Sequence, residues 1–327
     1  MKEAIRDALG EGEYVSGEQL GKVLGVSRSA VWESIKQLRR EGYHIDSSSR
    51  KGYRLVRVPD RLFPLEIGMG LKTQVLGRRI VYYPEVSCTQ NIARQLAAEG
   101  AVEGTVVVAE EQSGGRGRIQ RNWWSPPEGI YLSVILRPIV EPSQALIFPL
   151  IAGVAVAEAV NEVTGLRTAL KWPNDVIVHG KKVAGILIEV GAEIDRTNHI
   201  IIGIGVNVNA ERSGFPEDIK GRATSLREEY GERVPRVNLV QAILTRLEVR
   251  YQDCMNSGFG PVRERWKELS DTIGKSVSIT GEREVLSGTA IDVDEYGALI
   301  LREEDGSMKR VLAGDVSLRD GEEGRQK

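Results

Sequence analysis

Gly114-Gly115-Arg116-Gly117-Arg118-Ile119-Gln120-Arg121 concentrates more chemistry than any other stretch of this sequence. It follows Thr105-Val106-Val107-Val108-Ala109, an apolar run that predicts a buried strand. Three glycines in four positions remove the β-carbons that would hold an anion away from main-chain N–H groups. Arg116, Arg118 and Arg121 add planar cationic forks suited to phosphate or carboxylate oxygens. The same composition also suits a flexible basic surface loop, since short glycine motifs recur by chance.

Three other stretches could join it. Val86-Ser87-Cys88-Thr89-Gln90-Asn91 offers hydroxyl, thiol and amide groups before a predicted helix; Ser87 or Thr89 could equally be its N-cap. Lys171-Trp172-Pro173-Asn174-Asp175 places a cation at a strand end, and it also reads as an ordinary hairpin turn. Gly203-Ile204-Gly205-Val206-Asn207-Val208-Asn209 puts glycines inside a strand, where a ligand or another backbone can approach closely. No helix follows it, so it is no dinucleotide fingerprint, and no Walker A sequence is present. ATP would have to bind by another geometry.

The composition narrows the class of protein that holds these stretches. The chain has 327 residues, 41% hydrophobic and 28% charged, enough for two or three domains with ample core. A net charge of −2 means that a nucleic-acid partner must be met by a local patch. Cys88 and Cys254 form no disulfide framework, and the three histidines (His44, His179, His199) make no cluster with metal-ligand spacing, so no protein-held metal is expected. The start, Met1-Lys2-Glu3-Ala4, does not read as a signal peptide. The longest apolar run, Ala145 to Ala157, is shorter than the ~20 residues of a helical membrane span and contains Pro149. The expectation is a soluble, cytoplasmic protein with no membrane partner.

The N-terminal pattern predicts three helices and a hairpin. Residues 2–9 read as the first helix. Ser16-Gly17-Glu18-Gln19 is a capping box for the second, and Gly25-Val26 makes a tight turn. Ser27 caps the third, which turns Val31, Ile35 and Leu38 inward and leaves Arg28, Ser29, Trp32, Glu33 and Lys36 on other faces. Tyr43–Asp46 and Tyr53–Val56 alternate around a basic tip containing Arg50 and Lys51. This is a helix-turn-helix with a wing. Between Arg28 and Arg57, eight Lys/Arg oppose three acids, a local charge of +5. Ser27, Arg28, Ser29, Trp32, Lys36, Arg50 and Lys51 are the candidate DNA contacts. A helical module for protein contacts is the competing reading, in which Trp32 packs inward.

Val58 to Pro64, with two prolines and no periodicity, reads as a linker. Beyond it the pattern is α+β: a mixed sheet covered by helices on one side. Predicted strands are Arg79–Tyr83, Gly104–Ala109, Ile130–Leu136, Thr168–Lys171, Val176–His179, Val183–Val190 and His199–Val208. Predicted helices are Thr89–Glu99, Ser143–Val163 and Val237–Asn256. From Gly274 come five short strands (Ser276–Thr280, Gly288–Asp292, Ala298–Arg302, Met308–Leu312, Val316–Arg319), a small β-barrel. The expected division is 1–58 winged helix, 59–65 linker, 66–271 central domain, 272–320 barrel and 321–327 tail; residues from Asp320 onward are expected to be disordered.

Taken in this order, the Gly/Arg loop, Lys171–Asp175, Val183-Ala184-Gly185-Ile186-Leu187-Ile188-Glu189 and Gly203–Asn209 resemble the biotin–protein ligases. With the winged helix, the whole chain is similar to the bifunctional form that is also the repressor of the biotin operon. The resemblance implies an SH3-like C-terminal barrel and a two-step reaction. Biotin carboxylate attacks the α-phosphorus of ATP, with Mg²⁺, to give biotinyl-5′-AMP. A lysine of the biotin carboxyl carrier protein of acetyl-CoA carboxylase then attacks that mixed anhydride. It further implies that Cys88, Thr89, Gln90, Gln112, Gly115, Arg116, Gly117, Arg118, Lys171 and Gly185 meet biotin. Arg118, Arg121, Lys171 and Asn207 meet the adenylate, with Arg118 and Lys171 as the catalytic pair. Mg²⁺ enters only with ATP.

The chain departs from the family at Cys88 and Gln90, where Ser and Asn are usual; a thiol donates more weakly and Gln is one methylene longer. Its loop also ends Arg118-Ile119-Gln120-Arg121, less cationic than the repressor type. The regulatory expectation is that biotinyl-adenylate orders this loop, and Ser213–Gly221, to expose a homodimer surface that binds a palindromic operator. A sensor that binds an acyl-adenylate without transferring it, and a lipoate-type ligase on a similar core, are the alternatives.

Overall fold

The computed structural model describes residues 1–10, 12–119, 121–193, 196–281 and 285–318, in two compact units, Met1–Arg61 and Leu62–Lys327.

In the first unit, α1 (Lys2–Leu9) buries Ile5 and Leu9. α2 (Gly17–Leu24) starts where Ser16 Oγ accepts from Gln19 N at 3.0 Å, and stops at Gly25 in the left-handed conformation. α3 (Arg28–Arg40) starts where Ser27 Oγ accepts from Ala30 N at 3.2 Å, and buries Val31, Ile35 and Leu38. β1 (His44–Ser48) and β2 (Gly52–Arg57) pair antiparallel, and Val15 adds a bridge to Tyr53. Gly52 has φ 100°, and a Cβ there would lie 2.1 Å from Val15 O, so only glycine lets this bridge form.

The second unit opens with α4 (Pro64–Met69), a helix that begins inside the stretch read as linker, with Pro64 in its first turn. Then come β3 (Arg79–Tyr83), α5 (Thr89–Ala98), β4 (Thr105–Ala109), β5 (Ile130–Leu136) and α6 (Phe148–Thr164). β6 (Ala169–Lys171), β7 (Asp175–Val178), β8 (Lys181–Glu193) and β9 (Arg196–Val206) follow. Three helices close the series: α7 (Leu226–Tyr230), α8 (Arg236–Ser257) and α9 (Gly260–Leu269).

The strands make one seven-stranded sheet in the order β3-β4-β5-β9-β8-β7-β6, parallel only between β3 and β4. Strand alternation divides its side chains between two faces. Val106, Leu132, Val134, Ile200 and Ile202 meet Leu150 and Val154 of α6, and Ile243 and Leu247 of α8, in the main core. Val107, Ile135 and Ile201 point the other way, against Ala93 and Ala97 of α5. The long helices thus share one face as expected, and α5 adds partial cover on the opposite face, where it borders the site.

α6 begins later than Ser143 because Pro142–Ile147 forms a 3₁₀ turn, held by reciprocal capping between Glu141 and Gln144. By length and composition Pro142–Thr164 could cross a bilayer, yet 67% of its apolar window is buried within this fold. α9 was not predicted; only Val262 and Trp266 are buried on its ten residues, too few to show a period.

β10 (Ser276–Thr280), β11 (Val285–Val293), β12 (Leu299–Arg302), β13 (Met308–Val311) and β14 (Asp315–Leu318) form an antiparallel sheet in the order β13-β12-β11-β10-β14. Its Val277, Ile279, Leu299 and Leu301 belong to the same core cluster as α6. Arg319 and the expected tail 320–327 lie outside the described residues.

Candidate active site

The site lies on the α5 face of the sheet, and its floor follows from register. Across β5, β9 and β8, Ser133, Gly203 and Leu187 stand in one row, and Tyr131, Gly205 and Gly185 in the next. The three glycines leave a flat surface. A Cβ at Gly205 would sit 2.5 Å from Trp123 Nε1, and one at Gly185 2.9 Å from Trp123 Cζ3, so the indole rests on both. A Cβ at Gly203 would sit 2.9 Å from Gln90 Cδ. A cavity of about 490 Å³ opens above this floor, within the usual range for small-molecule sites.

One wall is the start of α5. Thr89 N and Thr89 Oγ1 donate to Gln112 Oε1 at 2.8 and 3.2 Å, and Ser133 Oγ donates to Thr89 Oγ1 at 2.9 Å. Gln112 Nε2 donates to Ser125 Oγ at 2.9 Å, so the amide is locked by both ends. Gln90 Nε2 donates to Leu187 O at 3.3 Å, while Gln90 Oε1 is buried without a partner. A buried acceptor left unpaired costs about 1–3 kcal/mol, which a ligand donor would recover. Cys88 is 2% exposed, and its thiol lies near enough to the Arg116 guanidinium to interact with it electrostatically.

The Gly/Arg loop forms the opposite wall, and each arginine has its own anchor. Arg116 donates to Glu189 Oε1 at 2.6 Å, and Arg94 holds Glu189 Oε2 at 2.6 and 2.9 Å. Arg118 donates to Asn174 Oδ1 at 3.2 Å and to Gly314 O at 3.3 Å. Burial lowers the Arg118 pKa, opposed by the charges of Asp315 and Asp175; the group stays cationic in a partly dehydrated setting. Arg121 pairs with Asp315. In this conformation the loop is fastened to β8, to the β6–β7 turn and to the C-terminal sheet. Gln120 lies outside the described residues.

Of the residues named for biotin, nine line this cavity: Cys88, Thr89, Gln90, Gln112, Arg116, Gly117, Arg118, Lys171 and Gly185. Arg121 and Asn207 line it as well. Gly115 does not; it lies behind, where a Cβ would meet Ser125 Oγ at 2.4 Å. Asn207 Nδ2 is engaged by Thr224 O at 3.1 Å, which fixes the loop that follows β9. Among the described residues no group of three His, Cys, Asp or Glu side chains is placed to hold a metal.

Lys182, Trp123 and Trp124 also line the cavity and were not singled out from sequence. Lys182 Nζ pairs with Asp175 Oδ1 at 2.6 Å, and lies 3.2 Å from where a Gly185 Cβ would be. Strict alternation would turn Lys182 to the other face from Gly185. The β7–β8 register shift, with Asp175 opposite Gly185 but Ile177 opposite Lys182, turns it back onto the glycine floor. Trp124 packs at a tilt on Phe215 with centroids 4.7 Å apart, linking the segment after the Gly/Arg loop to the loop that carries Ile219, Arg222 and Ala223 past the cavity.

All seven candidate DNA contacts are exposed on the first unit. Ser27 spends its hydroxyl on the α3 cap and a 2.9 Å contact with Ser29 Oγ. Trp32 is 50% exposed, so it does not pack into the unit's core.

Comparison with known proteins agrees with this geometry. Residues 83–207 match the Biotin/lipoate A/B protein ligase family, residues 272–319 the Biotin protein ligase C terminal domain, and residues 3–54 an HTH domain. The bifunctional ligase/repressor BirA of Bacillus subtilis is 41% identical over 307 residues, 94% of each chain. That of Escherichia coli is 32% identical over 316 residues, 96% of each. The structure of biotin protein ligase from Aquifex aeolicus in complex with biotin and ATP superposes with a TM-score of 0.64 at 32% identity, covering 74% of this chain and 99% of that one. These matches define a ligase core with an appended helix-turn-helix. The chain belongs to the bifunctional ligase/repressor family of BirA.

Proposed function

We propose that this protein is an ATP-dependent biotin–protein ligase, and that the same chain represses transcription with biotinyl-5′-AMP as corepressor. One observation carries the reading: a flat three-glycine floor faced by Arg116, Arg118 and Lys182, in a cavity of about 490 Å³. The Trp123 indole covers Gly185 and Gly205 and presents an apolar ring to the cavity. Biotin's bicyclic head lies beside that indole, with its ureido group toward Cys88, Thr89, Gln90 and Gln112 and its carboxylate toward Lys182.

The first step brings a carboxylate oxygen to the α-phosphorus of ATP and expels pyrophosphate. Both reactants are anionic, so charge neutralisation dominates the barrier. Arg118, Arg121, Lys171 and Lys182, all lining the cavity, supply fixed positive charge. Asp175 and Asp315 line the cavity but already hold Lys182 and Arg121, and Mg²⁺ entering with ATP would supply further neutralising charge. Trp124 and Asn207 form the adenine side, with Phe215 packed against Trp124. In the second step a carrier lysine amine attacks the acyl carbon, and AMP leaves.

The test is incubation with ATP, biotin and a biotin carboxyl carrier domain, scored as a mass shift on the carrier lysine and challenged with lipoate. Transfer unaffected by excess lipoate is the expected result. Adenylate formed without transfer leaves a ligand sensor, and lipoate transfer overturns the substrate assignment. On the regulatory side, the intermediate orders the Gly/Arg loop, a homodimer forms, and two winged helices bind an operator in the cytoplasm. Sedimentation with and without biotin plus ATP should show tighter dimerisation with ligand; equal dimerisation removes the switch.

A further inference from the structure

On α3, Arg28, Trp32, Lys36 and Arg40 are spaced by four and all exposed, so they form one line along the helix. Three are cations; the fourth is an indole left half in solvent, whereas Trp172 and Trp266 are 2% and 1% exposed. Lys36 Nζ lies 4.4 Å from the Trp32 ring centroid, which covers one ring face and steadies the side chain. The opposite face and the edge remain open.

The charges around this line select its partner. Glu41 is neutralised by Lys2 at 2.7 Å, and Asp46 by Arg54 at 2.7 Å. Arg54 also lies 4.8 Å from the Tyr14 ring. Two of the three acids of this stretch are thus paired within the unit; Glu33, beside Trp32 on α3, is exposed, as are the five cations Arg28, Lys36, Arg40, Arg50 and Lys51, which outnumber it. A polyanion with an apolar feature between its charges complements such a surface. In the major groove of duplex DNA that feature is the thymine C5-methyl group.

We propose that Trp32 is the base-reading residue of the winged helix, packing its open face on a thymine methyl while Arg28 and Lys36 fix the register on flanking phosphates. This rests on the DNA-binding reading above. It assigns sequence choice to an indole and affinity to the cations.

The experiment uses the full-length protein with biotin and ATP. Duplexes are selected from a randomised library, and each thymine of the selected sequence is then replaced by deoxyuridine, which removes only the methyl group. One thymine per half-site should lose about fourfold in affinity on replacement, the equivalent of ~0.8 kcal/mol per buried methyl. Trp32→Ala should abolish that sensitivity and bind selected and unselected duplexes nearly alike, whereas Trp32→Phe retains it. Arg28→Ala should weaken both duplexes together. A selected sequence in which every thymine tolerates deoxyuridine, or a Trp32→Ala protein that still senses the methyl, overturns the role of Trp32 and leaves DNA binding standing. Failure to select any sequence overturns both.

Discussion

Arg116 reaches Glu189 at 2.6 Å, and through that carboxylate it is tied to Arg94 on α5. A cation at the ligand cavity is thus aimed by a strand residue and a helix residue that do not line it. Glu189→Gln should let Arg116 wander from Cys88 and raise the biotin Kd about fivefold, since a partly exposed pair is worth ~1 kcal/mol. Calorimetric titration with biotin reads this directly, with the ATP KM as control. Equal loss for both ligands would mean that Glu189 merely supports the fold.

Arg118 bridges Asn174 and Gly314 and is the most buried cation of its loop. Replacing it by glycine removes the fixed charge that we propose retains the intermediate's phosphate. Arg118→Gly should still make biotinyl-5′-AMP but release it, so bystander proteins mixed with the enzyme become labelled on lysine. Retention of the intermediate on a desalting column, as in the parent, would refute the role given to Arg118.

The floor can be tested without touching a charge. A Cβ at Gly205 has only 2.5 Å to the Trp123 ring, and larger side chains on this row would fill the cavity itself. Gly205→Val should lower biotin affinity by at least a hundredfold, while the thermal midpoint of the first unit stays unchanged. Near-normal affinity would place the head group elsewhere.

The C-terminal sheet supplies a pH test. Burial works to raise the Asp294 pKa. The Arg310 ion pair and the N–H groups of Ala298 and Tyr296, each at 2.9 Å, outweigh it, so the pKa falls below the ordinary 3.8. A depressed carboxyl stabilises the fold fully above its unfolded value and loses that contribution as pH falls through the folded one. Asp294→Asn should therefore be less stable than the parent at pH 7 by about 1 kcal/mol, and the gap should close as pH falls below the ordinary 3.8 and through the lower folded value. Urea midpoints at pH 7 and across that acid range measure this; a constant gap would assign the loss to packing.

The sequence exposed most of what local chemistry dictates. Ser16 and Ser27 mark helix starts because a hydroxyl there meets an orphan N–H, and both do so. Gly185, Gly203 and Gly205 stood out because glycine is unexpected in a strand, and they form the floor. The hidden parts depend on contacts distant in sequence. Lys182 looked like one more exposed turn lysine, since a register shift against β7 cannot be seen in β8 alone. Glu189 became an anchor only once α5 and the loop converged on it. Trp123 and Trp124 follow the loop without any period, so nothing local separated them from core tryptophans such as Trp172.

The extra residue that turns Lys182 toward Gly185 also constrains how this gene can drift. Side chains along β8 can be exchanged one at a time, but a change that straightened the strand without removing a residue would send the lysine to the wrong side of the sheet. Homologues that keep the chemistry should therefore either keep the bulge or lack one residue between Lys182 and Gly185, since a regular two-residue step also returns the lysine to the floor side.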